Sequence, residues 1–152
     1  MKTASILFIA IIIAFAGNAQ PPKDREQVEK VVLAFQEGFN DGSFKNAESY
    51  TTVDWIHINP FGGITNGRDS TLADVRYVHR EFLKGVTMSI QSMQIQFPAK
   101  ETAIAIVKHK IDNYTTPDGV LHANEIHVKT YVIVKQKGKW LLALDQNTIN
   151  PI

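Results

Sequence analysis

The chain has 152 residues, with 16 lysines and arginines against 15 aspartates and glutamates, and no cysteine. A near-neutral balance without a basic patch or charged tail argues against nucleic acid and against an anionic membrane surface as partners. A fold built without cysteine relies on no disulfide, and there is no thiol for a lipid anchor.

Lys2 is followed by the apolar run Ile6 to Ala16 and then by Gly17-Asn18-Ala19. This is the order of a secretory signal peptide: a charged start, an apolar middle and small residues at the cleavage site. The run is shorter than the roughly 20 apolar residues that span a bilayer. Cleavage is expected after Ala19. Residues 20–152 then form one exported domain, periplasmic or extracellular, with no membrane anchor. Removing Lys2 with the leader leaves equal numbers of basic and acidic side chains.

Lys23 to Asn40 reads as an amphipathic helix, because Val28, Val31, Val32, Phe35 and Phe39 make one apolar stripe. Asn40-Asp41-Gly42 is a helix stop. Ser43 is expected to cap a short second helix reaching Tyr50. The segment Asp54 to Gly63 is the most informative in the chain. Trp55, His57 and Asn59 alternate with Ile56 and Ile58, the period of a strand. One face is aliphatic; the other carries an indole, an imidazole and a carboxamide, as the wall of a small-molecule pocket does. Pro60 and Gly62-Gly63 turn the chain. A third helix is expected from a cap at Asp69 or Ser70 to Gly85, burying Leu72, Val75, Tyr77, Val78, Phe82 and Leu83. The rest reads as strands. Val86, Met88 and Ile90 alternate, then Met93, Ile95 and Phe97 do so in the opposite phase, which predicts a bulge near Ser92. Thr102 to Tyr114, His122 to Gln136 and Trp140 to Thr148 follow, with turns at Thr116-Pro-Asp-Gly119 and Lys137-Gly-Lys139. Helices first and long antiparallel strands afterwards describe an α+β domain.

Four segments, in this order, resemble the nuclear transport factor two-like superfamily, and within it the SnoaL-like group of SgcJ/EcaC type. They are Phe39-Asn40-Asp41-Gly42-Ser43, Asn59-Pro60-Phe61-Gly62-Gly63, Gly67-Arg68 before a helix, and Gly138-Lys139-Trp140 through Asp145-Gln146-Asn147-Thr148. The resemblance implies a cone-shaped α+β fold, with three N-terminal helices packed on a strongly bent antiparallel sheet, a pocket between the layers and pairing as a homodimer. A likeness to ketosteroid isomerase would put that enzyme's general base at Asn59 and its oxyanion-hole tyrosine at Phe35. An amide cannot take up a proton at neutral pH and phenylalanine has no hydroxyl to donate, so steroid-type isomerisation at these positions is rejected.

The expected pocket is mostly apolar, lined by Phe35, Phe39, Trp55, Phe61 and Phe82, with His57, Asn59 and Asn147 as polar ligand-binding points. His79, on the apolar face of its helix, and Asp145, whose carboxyl is expected to be raised by apolar neighbours, are the candidate acid–base groups. Asp145 and Asn147 are placed on one face with Leu141 and Ala143; His127, Lys129 and Tyr131 are placed on a polar outer face. No histidine pair has the local spacing of a zinc site, and neither a nicotinamide nor a flavin fingerprint is present, so neither metal nor cofactor is expected. Two functions fit: an accessory protein that binds a small apolar molecule, or a cofactor-independent isomerase, cyclase or dehydratase working through His79 or Asp145. A dimeric structural domain with a vestigial pocket is a third. Ile104, Ile106, Val128, Val132 and Val134 would give the outside of the sheet an apolar patch suited to pairing two copies.

Overall fold

A computed structural model describes residues 21–150, the side chain of Asn150 excepted; the expected leader lies outside the described residues. Helix α1 runs Pro22–Asp41, a 3-10 turn spans Ala47–Ser49, strand β1 is Thr51–Ile58, β2 is Ile64–Asn66 and α2 is Arg68–Glu81. The strands β3 (Met88–Ala99), β4 (Thr102–Ile111), β5 (Tyr114–Thr115), β6 (Leu121–His122), β7 (Ile126–Gln136) and β8 (Lys139–Asn150) complete the chain.

Six strands form one sheet in the order β2-β1-β8-β7-β4-β3, and β5 and β6 make a separate hairpin. All neighbours in the large sheet are antiparallel except β1 and β8, which are parallel. The sheet is therefore mixed. Two helices cover it rather than three, because the segment after α1 makes only the 3-10 turn. Ser43 caps nothing there: its amide donates to the Asp41 carboxylate at 2.7 Å, a local turn that competes with a helix start.

The stripe of α1 packs as its spacing requires, with Val28, Val31, Val32 and Phe35 buried. Phe35 meets Phe44, Trp55 and Tyr131 edge-on at ring-centroid distances of 5.6, 6.1 and 5.4 Å. The helix is tied down at both ends. Asp24 in its first turn accepts from Trp140 Nε1 at 2.9 Å and Lys135 Nζ at 2.7 Å. At its other end Asn40 pairs with the backbone of Met88 in both directions, at 2.8 and 3.1 Å, as a neighbouring strand would.

Helix α2 begins at Arg68 behind Gly67 with no side-chain cap, and it stops earlier than Gly85. The amides of Phe82 and Leu83 both donate to the Val78 carbonyl and close the last turn. Of the expected buried side, Val75 is buried, Leu72, Val78, Phe82 and Leu83 are half-buried, and Tyr77 is exposed.

The predicted bulge in β3 is present, as a register shift between Ile90 and Ser92. A second bulge has larger consequences. In the β7–β8 ladder Ile133 faces Leu142 and Val132 faces Leu144, so Ala143 is an extra residue. An extra residue reverses the inward and outward phase. Leu142 and Asp145 are both fully buried although three positions apart. Asp145 therefore does not share a face with Leu141 and Ala143 as strict alternation predicts.

The outward placement of His127, Lys129 and Tyr131 is also reversed. They lie on the inner face of β7 in series with Ile133, at 4, 4, 0 and 0% exposure. Opposite them on β4 are Ala103, Ala105, Val107 and His109, all fully buried. Small residues at 103 and 105 leave room for α1 to lie across the sheet. The polar groups on this face find partners on neighbouring strands, His109 Nδ1 excepted.

Candidate functional site

Between the inner face of the sheet and the two helices lies a cavity of about 150 Å³. Its wall combines aromatic and aliphatic side chains, including Phe35, Phe39, Phe44, Val75 and Phe82, with a smaller polar set: His57, Asn59, Asp74, His79, His127, Lys129 and Asn147. Phe61 lines it while 66% exposed, which places the opening there. Phe61 also lies edge-on to His122 of the β5–β6 hairpin, at 6.3 Å.

Behind the polar wall sits Asp145, fully buried at the middle of β8. Its Oδ1 accepts from Trp55 Nε1 at 2.8 Å and its Oδ2 from Lys129 Nζ at 2.7 Å. His57 Nδ1 lies 3.1 and 3.0 Å from the two oxygens. Burial alone would raise this carboxyl. The Lys129 ammonium and His57, with the hydrogen bonds both make, outweigh it and hold the group below the ordinary carboxylate range. Asp145 is thus a fixed anion, not the raised, proton-carrying acid expected from the sequence. The pairing follows from register: β1 and β8 run parallel with His57 opposite Asp145, and β7 places Tyr131 opposite Asp145.

An ionised carboxylate only accepts hydrogen bonds. His57 must therefore carry its proton on Nδ1 when neutral, which leaves a lone pair on Nε2. No protein partner meets Nε2 among the described residues, and the ring lines the cavity. Trp55 does not line the cavity. Its indole lies beneath, with its N–H committed to Asp145.

The remaining polar residues divide by role. Asn59 follows β1 and folds its own turn: its Oδ1 accepts from the amides of Phe61 and Gly63 at 2.9 and 3.0 Å. A side chain at Gly63 would collide with that carboxamide. Only the Asn59 amide group is left for the cavity. Asn147 Nδ2 lies 2.9 Å from His127 Nδ1, and His127 Nε2 lies 3.0 Å from Glu125. Both nitrogens of His127 are engaged. Burial lowers its affinity for a proton while Glu125 opposes that effect. His79 is buried between Phe39 and Phe44, with ring centroids 4.6 and 5.6 Å away. Burial lowers its pKa, and Asp41 partly offsets the shift. It borders both the cavity and a polar groove containing Asp41 and Arg80. Gly42, with φ of +67°, lets the chain pass this ring; a Cβ there would come 3.3 Å from His79 Nδ1.

Eight of the residues singled out from the sequence meet at one cavity: Phe35, Phe39, His57, Asn59, Phe61, His79, Phe82 and Asn147. Asp145 stands one layer behind, and Lys129 and His127, expected on an outer face, line the cavity instead. The signal for Lys129 was there. Counting back from Ile133 and Tyr131 by twos reaches Lys129, a lysine in phase with the core. Among the described residues, no group of three or more histidines, aspartates or glutamates is arranged to hold a metal ion.

No family model matches the sequence, and no curated protein does. Solved structures do. An uncharacterised protein with a cystatin-like fold from Caulobacter vibrioides superposes with a TM-score of 0.81 at 20% identity, covering 85% of this chain and 91% of the other. A ketosteroid isomerase-like protein from Erwinia carotovora atroseptica gives 0.70 at 15% identity, covering 86% and 99%. A hexachlorocyclohexane dehydrochlorinase gives 0.69 at 12% identity, covering 85% and 86%. The chain has the nuclear transport factor two-like, cystatin-like fold.

Proposed function

We propose that the protein takes a small, mostly apolar molecule into this cavity and moves a proton on it without a cofactor, as an isomerase or a lyase does. The observation that carries the reading is the His57–Asp145 pair. A fully buried carboxylate, held below the ordinary carboxylate range by Lys129 and His57, fixes the tautomer of a histidine whose other nitrogen borders a largely apolar cavity. That is the arrangement a general base requires: a lone pair aimed at the ligand, and a negative charge behind the ring to stabilise the imidazolium that forms. His79 borders the same space from α2 and is the candidate for a second proton transfer. The fold is also that of proteins named for isomerase-like and dehydrochlorinase character. The SnoaL-like, SgcJ/EcaC-type affinity belongs to this proposal and rests on the order of the four sequence motifs.

The test is exchange of C–H for deuterium in D2O, followed by NMR, on carbon acids with one six-membered ring: cyclohexanone, nitrocyclohexane and benzyl cyanide. The wild type is expected to accelerate exchange of at least one. His57→Gln should lose about 10²–10⁴-fold of that acceleration, the usual weight of a positioned base, while still binding the probe. A protein that only binds is the second reading. It is favoured by the saturation of both Asp145 oxygens, which equally suits a structural role. Binding without exchange by the wild type would establish it and remove the catalytic proposal.

We further propose that two copies pair through the outside of the sheet. Ile104, Val128, Val132 and Val134 are half-buried there, and Ile106 is 39% exposed. Light scattering should give twice the chain mass, and Ile106→Lys should return a monomer. A wild type that stays monomeric at high concentration rules the pairing out.

A further inference from the structure

Lys129 lines the cavity as a buried ammonium, and the proton-transfer reading gives it no role. Its side chain is 6% exposed and its ammonium carries three N–H donors. One donor goes to Asp145 Oδ2 at 2.7 Å. The charge also lies 4.5 Å from the centre of the Phe35 ring and 5.7 Å from that of Tyr131. An aromatic face attracts a cation but is a weak substitute for an oxygen acceptor. No second oxygen or nitrogen accepts from Lys129 Nζ among the hydrogen bonds of the described residues. A buried ammonium that lines a cavity and has donors to spare favours an oxygen brought in by the ligand. His57 Nε2 borders the same space, and both side chains are held by one carboxylate. A base and a cation are therefore presented together to one small molecule.

The charges on the wall limit what that oxygen belongs to. Histidines aside, the lining holds a single cation among the described residues, Lys129. Against it stand Asp145 immediately behind and Asp74 on α2, which is half-buried and accepts from Thr65 at 3.2 Å. A carboxylate or phosphate ligand would enter a site whose only lining cation is already compensated. A neutral oxygen that gains negative charge during reaction meets no such obstacle. Size sets the other limit. About 150 Å³ is the volume of a cavity that encloses benzene.

We infer that Lys129 recognises a carbonyl oxygen, and that the ligand is a neutral carbonyl compound about the size of one six-membered ring. This assignment rests on His57 acting as the base. The step balances without a further reactant. His57 Nε2 removes a proton from the carbon beside the carbonyl, and the C–H pair becomes the C=C bond. The carbonyl π pair moves to oxygen, where a Lys129 N–H meets it. The imidazolium then returns a proton to carbon.

The experiment uses cyclohexanone and the mature protein. In D2O the wild type should exchange the α-protons of cyclohexanone, and Lys129→Met should lose at least 100-fold of that rate. The loss should fall mainly in turnover, because the oxygen gains its charge only in the transition state. Removing Lys129 also unbalances Asp145, so a wild-type reading stands beside the variant. The infrared C=O stretch of bound cyclohexanone should lie below its position in water. A stretch above that position would mean a carbonyl in dry apolar surroundings and would overturn the inference. Tighter binding of cyclohexanecarboxylate than of cyclohexanone would also overturn it. The two proposals fail separately. Exchange of nitrocyclohexane or benzyl cyanide but not of cyclohexanone keeps His57 as base and removes the carbonyl. A lowered C=O stretch with no exchange of any probe keeps Lys129 as the oxygen site and removes the base.

Discussion

Asp145→Asn is expected to cost about 3–5 kcal/mol of folding stability, the usual cost of breaking a buried ion pair from one side. The asparagine is nearly the same size and keeps an oxygen for Trp55. What disappears is the charge that balances Lys129, a residue only 4% exposed, and that accepts from His57. A buried ammonium left without its counter-charge is far more costly than a lost neutral hydrogen bond. Urea titration at pH 7 should show the midpoint fall with little change of slope. The double change Asp145→Leu with Lys129→Met should recover much of the loss, because a matched apolar pair is often as stable as a buried ion pair. If Asp145→Asn unfolds within about 1 kcal/mol of the wild type, the cluster does not hold this end of the fold together.

Mild acid is expected to destabilise the protein well before its carboxylates titrate. His109 is fully buried, and burial first, then Lys129 and His127, push its pKa down to about 3. An unfolded histidine titrates near 6.5. Between these values the unfolded chain binds a proton that the folded chain refuses, so stability falls as pH falls through this window, by about 1.4 kcal/mol per pH unit. At pH 4.5 this one group should remove roughly 3 kcal/mol. His127 and His79 are shifted in the same direction, burial being the first cause in each, and add to the loss. Asp145 acts in a different range. Its depressed pKa contributes stability above the unfolded aspartate value, and that contribution disappears only at lower pH. His109→Phe cannot take up the proton. Its own cost at pH 7, from leaving Tyr131 without the 2.9 Å partner, cancels when each protein is compared with itself at pH 7 and pH 4.5. The variant should lose about 3 kcal/mol less over that interval than the wild type. Equal losses would show that His109 does not set the acid limit.

Much of the architecture was legible in the residues, because it rests on periodicity and turn chemistry. The stripe from Val28 to Phe39, the stop at Gly42 and the phase change near Ser92 each have a local physical cause. Part of the cavity wall followed, since His57 and Asn59 alternate at the end of a short strand, while Trp55, two positions earlier, lies beneath the wall rather than in it. The part that could not be read depends on register between distant strands. Nothing local to β8 announces that Ala143 is an extra residue, yet that bulge turns Asp145 inward. Without the parallel pairing of β1 and β8, His57 and Asp145 have no evident connection. Lys129 was misplaced because a lysine in a strand is usually solvated, and only its bond to Asp145, 16 positions away, with the rings of Phe35 and Tyr131 beside the charge, makes burial tolerable. The helix expected after Ser43 failed for the opposite reason: a side chain that can cap a helix can equally close a turn.

The wall of the cavity is divided by its origin in the chain. The charged cluster comes from β1, β7 and β8, adjacent strands joined by backbone hydrogen bonds. Most of the apolar wall comes from α1, α2 and the segments after them, which touch the ligand space through side-chain packing alone. Chemistry and fit are thus written in separate stretches of sequence. Exchanges at Val75, Val78 or Phe82 reshape the space a ligand fills while the spacing of His57, Asp145 and Lys129 stays as the sheet sets it. A scaffold divided this way can change the shape of its cavity in small steps without rebuilding the charged cluster, which makes the helical face the place where variation or engineering has the most freedom.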